Sequence, residues 1–193
     1  MNAGVSSTLA VPWLVDYAAR KGLRYSPEAD ERWLRAWEPY ATLRVPMRYE
    51  HVLESTGDVG SITIARFVVE TSGGPASAWI AIAQDTRVAG KAAVTNDPSP
   101  TFREALDLVT MPRRATGDAW FDQTFAVFAP STEDLARCIG SRTRRLALSW
   151  QTPMHAEVRP GGFVLAPVAL RADPASLSWL VRAVHAFGER ARG

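Results

Sequence analysis

Asp118 and Asp122 are the residues whose type and spacing come closest to doing chemistry in this chain. If a helical turn links them, their carboxylates stand four residues apart on one face. That is close enough to share a divalent ion or to serve as the acid/base pair of a metal-dependent hydrolase. A metal site would want further oxygen or imidazole ligands, and none follows nearby in sequence. The same two residues also suit a local task. Gly117 permits a sharp turn, Asp118 caps it, and Asp122 accepts backbone amides where the turn meets a strand. The structural reading is preferred, and the hydrolase is kept as an alternative.

The other reactive side chains form no recognisable constellation. His51, His155 and His185 are far apart, and none has zinc-ligand spacing. His155 shares strand parity with Glu157 and Arg159, opposite Met154, Ala156 and Val158, which predicts a solvated strand face. There is no Gly-x-Ser-x-Gly elbow, phosphate loop or dinucleotide fingerprint. Cys138, the lone cysteine, excludes an internal disulfide and falls on the inner face of an expected helix, where a thiol is inert packing. No cofactor is expected, and an enzyme is the less favoured class.

Binding surfaces are better supplied. Trp33 and Trp37 lie one helical turn apart, suited to a sugar or base platform or, preferably, to docking the helix on a sheet. Trp79 belongs to an expected strand and completes the tryptophan candidates. Arg142, Arg144 and Arg145, joined by Arg137, are the densest basic cluster. Arg142 and Arg145 are the candidates for meeting an acidic partner or phosphate. No aromatic residue is interleaved with that cluster, so nucleic acid is not expected and a solvated helix face is the simpler reading. All but Lys21 and Lys91 of the 22 basic residues are arginine, yet they are spread along the chain and the net charge is only +2. That charge is too small to imply a polyanionic partner.

The elements that must position these residues follow from periodicity. Residues 1–40 read as helical: Leu9, Trp13, Leu14, Tyr17 and Ala18 recur at helical spacing before Gly22. Ser26-Pro27 then opens a second helix that Pro39 ends. From 43 to 85 the period shifts towards two. Strands over 44–54, 61–70 and 76–84 make an antiparallel meander. Ile62 and Ile64 have opposite parity to Phe67 and Val69, which predicts a bulge near Ala65. The strand at 78–83 is apolar on both faces and predicts a central, doubly covered position. Phe102, Ala105, Leu106 and Val109 fit a short helix.

In the C-terminal half, Phe121 to Ala129 reads as a strand. Ser131 and Asp134 have capping-box spacing at the start of a helix, and Ser141 recaps a second piece beyond Gly140. Residues 154–159 and 163–170 form a hairpin around Pro160-Gly161-Gly162. Asp173-Pro174 then begins a last helix with Leu177, Leu180, Val181, Val184 and Phe187 on one side. The expected fold class is α+β: a mostly antiparallel sheet packed by helices. Residues 1–40 form a helical appendage, and 41–193 a single domain.

The order Thr116-Gly117-Asp118, Phe121-Asp122, Phe125-Ala126-Val127 and then β-α-β-β-α resembles a group of uncharacterised bacterial proteins of the myxobacterial type. The resemblance covers roughly residues 45–192. It implies the order of elements and brings no activity with it.

Composition bounds the rest. A chain of 193 residues, 47% hydrophobic and 22% charged, is long enough and apolar enough for a buried core. The first residues do not read as a signal peptide, and no stretch approaches the roughly 18 apolar residues of a membrane span. The expectation is a soluble cytoplasmic protein. Its favoured role is a non-enzymatic protein-binding or scaffold module of a bacterial complex, acting through Trp or Arg surface on another protein or on itself. A small-molecule or acyl-chain binder is the alternative, with the doubly apolar strand 78–83 walling its pocket.

Overall fold

The computed structural model describes residues 8–37, 46–57, 60–71, 73–96 and 111–192. The expected short helix around Phe102 to Val109 and the expected helix end at Pro39 lie outside them. Strands β1 (Arg24–Ser26), β2 (Arg48–Gly57), β3 (Gly60–Thr71), β4 (Gly74–Gln84), β5 (Ala92–Thr95), β6 (Ala126–Phe128), β7 (Met154–Arg159) and β8 (Gly162–Pro167) form one antiparallel sheet. Its order is β1-β2-β3-β4-β8-β7-β5-β6. The helices are α1 (Pro12–Lys21), α2 (Glu31–Ala36), α3 (Ala119–Thr124), α4 (Thr132–Cys138), α5 (Ser141–Leu148) and α6 (Pro174–Ala191). The fold is α+β, and β4 is an interior strand of the sheet.

Both faces of the sheet are covered. On one face Trp79, Ala81 and Ala83 of β4 join Phe163 and Leu165 of β8, and α1, α3, α4, α5 and α6 pack over them. The opposite face places Ile80, Ile82 and Val164 beneath Leu34, Trp33 and Trp37 of the α2 segment. Burying such side chains supplies about 2 kcal/mol each, which is why an all-apolar strand must lie between two layers.

Several local expectations are corrected. Residues 24–26 are a strand paired with Val52 to Glu54, so the 1–40 segment is not helical throughout. The side chain that caps α2 is Asp30, which accepts from Trp33 N at 3.0 Å; Ser26 instead donates to the Glu28 carbonyl. Phe121 lies on α3, because Asp118 nucleates a helical turn before the strand can begin at Ala126. Gly140, not Ser141, caps α5.

The bulge is real but lies in β2. Register runs unbroken between β3 and β4, whereas β2 shifts between Glu50 and Leu53 opposite β3. Tyr49 and Val52 therefore face the same side despite their odd spacing. His51 takes the left-handed conformation at the kink, with φ 53°. In β3 the mixed parity has a different cause: Ile62 and Ile64 enter one core and Ala65 and Phe67 the other.

Candidate functional site

The corner at Gly117 is held by its own aspartates. Asp118 Oδ1 accepts from Phe121 N at 3.1 Å, capping α3, and its Oδ2 lies 3.7 Å from Arg144 Nε. Asp122 Oδ1 accepts from the Thr116 hydroxyl at 2.8 Å, and both its oxygens accept from Thr116 N at 3.0 Å. Gly117 turns the chain between them at φ 80°. Asp122 also borders a small open cleft with Arg113, Arg114 and Phe125. Both carboxylates are thus occupied in fixing backbone. Among the described residues no group of three or more His, Cys, Asp or Glu is placed to hold a metal ion.

The most consequential correction concerns β7. His155, Glu157 and Arg159 do share one face, but that face is buried: His155 and Glu157 are 0% exposed. His155 Nε2 donates to Glu157 Oε1 at 2.7 Å, and Arg159 Nη2 donates to Glu157 Oε2 at 2.8 Å. Arg159 also lies over the Trp37 ring, 5.8 Å from its centroid, and reaches the Ala36 carbonyl. Desolvation pushes the Glu157 carboxyl up, but the hydrogen bonds and charges of His155 and Arg159 outweigh it and hold the group below the usual range. Alternating polar residues read as solvent-facing. Here they neutralise one another inside an interior strand, and the complementary His-x-Glu-x-Arg pattern was the signal for it.

The remaining titratable candidates do not gather into a site. His51 Nδ1 is 3.0 Å from the Tyr25 hydroxyl, and burial, reinforced by Arg66, lowers its pKa against the opposing pull of Glu50. His185 is exposed on α6. Cys138 is fully buried, and desolvation raises its thiol to about 11.

The tryptophans divide sharply. Trp79 is 2% exposed in the core and presents no surface, which corrects its candidacy. Trp33 and Trp37 are half-buried, tilted against each other at 6.3 Å, and dock α2 on the sheet. All seven tryptophans are described, and Trp120 alone is exposed, at 69%. It stands on α3, a short helix locked by Asp118, Asp122 and the stacked rings of Phe121 and Phe125, 4.7 Å apart. Trp120 precedes the strand expected at 121–129, and its display follows from the helical turn that Asp118 starts.

The arginines of α5 also divide. Arg144 turns to Asp118 and the Ile139 carbonyl, while Arg142 and Arg145 are exposed and line a cleft of about 530 Å³ between α5 and α6.

The architecture is thus an eight-stranded antiparallel sheet with helices on both faces. No protein-family model matches the chain, and no curated protein matches it in sequence. A solved structure shares the fold: the crystal structure of the mycobacterial trehalose monomycolate transport factor A, TtfA. The TM-score is 0.66 at 15% identity, over 94% of this chain and 93% of that one. At that identity the likeness speaks for the fold alone. Among the described residues no helix is long and apolar enough to cross a membrane.

Proposed function

We propose that this chain is a non-enzymatic protein-binding module, an accessory factor of a bacterial cytoplasmic complex, with Trp120 as an anchor of its docking surface. The observation that carries the reading is a largely exposed indole on a short, capped helix, in a molecule whose other tryptophans are at least half-buried. A rigid aromatic loses little conformational freedom on binding, and tryptophan is among the residues enriched in interface hot spots. Arg144, 3.7 Å from Asp118, ties the start of α3 to α5 and helps hold the anchor's helix in place. The transport factor that shares this fold is compatible with an accessory role of this kind, though a shared fold does not carry function with it.

Affinity capture with tagged wild-type and Trp120→Ala chains tests this, with native mass spectrometry of the purified protein alongside. The reading expects a stoichiometric protein partner that the variant loses. A monomer that captures nothing, or one carrying a lipid adduct and no protein, overturns it.

A further inference from the structure

We infer that the cleft between α5 and α6 is a docking groove for an acidic peptide segment of a partner protein. This inference deepens the protein-binding reading and rests on it, but it names a different surface from Trp120.

Residues 142, 145, 146 and 149 recur at intervals of three and four, so they share one face of α5 and its C-terminal cap. That face forms one wall of the cleft, and Glu189 and Arg190 of α6 form the other. The helix carries three arginines and no acidic residue. Arg144 is spent on Asp118 and a carbonyl. Arg142 and Arg145 have no acidic partner among the described residues. Arg190 donates to the Ala186 carbonyl, and the carboxylate near it, Glu189, is 4.0 Å away and largely exposed. Three arginines therefore line the groove beside a single carboxylate, Glu189. Such an imbalance favours a polyanionic occupant.

The lining decides which polyanion. Among the described residues it contains no aromatic side chain, so bases have nothing there to stack on. Leu146, the one apolar side chain among its described lining residues, packs against the core and is not free to insert into a bilayer. The surface is concave, with arginines one turn apart on a helix, about 5–6 Å between Cβ atoms. Carboxylates along a peptide laid in the groove can meet that spacing with bidentate hydrogen bonds.

The test uses the full chain and a fluorescein-labelled oligoglutamate peptide, with fluorescence anisotropy as the readout. Binding is expected at low salt, weakening steeply as salt rises. The Arg142→Gln/Arg145→Gln variant should weaken it about tenfold. Both residues are exposed, so circular dichroism of that variant should match the wild type. Trp120→Ala should leave peptide binding intact. Retained peptide binding with failed partner capture would sink the Trp120 reading and leave the groove standing. The inference is overturned if wild-type protein ignores the peptide, if the double variant binds equally well, or if inorganic phosphate or phosphatidylglycerol vesicles bind in its place.

Discussion

Arg192 Nε lies 2.7 Å from Asp85 Oδ2, clamping the last residues of the chain to the end of the central strand β4. Arg87 holds the other oxygen at 2.8 Å through its side chain and at 3.0 Å through its backbone amide. The Arg87 side-chain hydrogen bond is the main cause that holds the Asp85 carboxyl far below the usual range. Burial opposes it, and the Arg87 amide and Arg192 assist.

Asp85→Asn should therefore cost about 2 kcal/mol at neutral pH, the worth of a charge-assisted hydrogen bond. A depressed carboxylate stabilises the fold fully above its unfolded pKa, about 4, and loses that contribution as pH falls towards the folded value. The gap between wild type and variant in urea unfolding should be full near pH 7 and narrow below about pH 4.

Glu157→Gln should be the costliest exchange considered, at about 3–5 kcal/mol, because it strands Arg159 inside the sheet without its counter-charge. Chemical denaturation reads it. A loss below about 1 kcal/mol would mean that water reaches the network.

The β7 triad also shows where sequence reasoning reaches its limit. Periodicity placed His155, Glu157 and Arg159 on one face correctly. Whether that face is wet depends on β7 pairing with β5 and β8 in the interior of the sheet, a long-range fact that alternation does not encode. The meander, the final hairpin and the last helix were legible because turn glycines and caps bracket their apolar runs. β1 and β5 were not. Arg24-Tyr25-Ser26 and Ala92-Ala93-Val94-Thr95 are too short to show a period, and only their partners make them strands. The aspartates at Gly117 were legible as caps, whereas the exposure of Trp120 was not, because the six-residue α3 is too short to show a period.

Asp118→Ala should cost about 1 kcal/mol as a lost helix cap. Asp122→Ala should cost about 2 kcal/mol, since it leaves the Thr116 amide and hydroxyl without acceptors. Neither loss should respond to EDTA or to added divalent ions in thermal unfolding. A metal-dependent melting temperature in the wild type would reverse the structural account of this corner.

Cys138 should resist alkylation by iodoacetamide near neutral pH, since burial raises its pKa to about 11 and the thiolate is the reactive form. Labelling should become rapid in denaturant. Fast labelling of native protein would show that α4 lifts from the sheet readily.

The three residues of β1 carry a burden out of proportion to their number. They shield the outer edge of β2, a ten-residue strand whose far side is already paired to β3. Trimming the chain to begin after α2 would also strip Leu14 and Tyr17 from one core and Leu34 from the other. The shortened product would display a long, unguarded row of amides and carbonyls beside uncovered apolar surface, a template for stacking copy upon copy. Expression tags belong ahead of α1, and shortened versions of this protein are expected to precipitate.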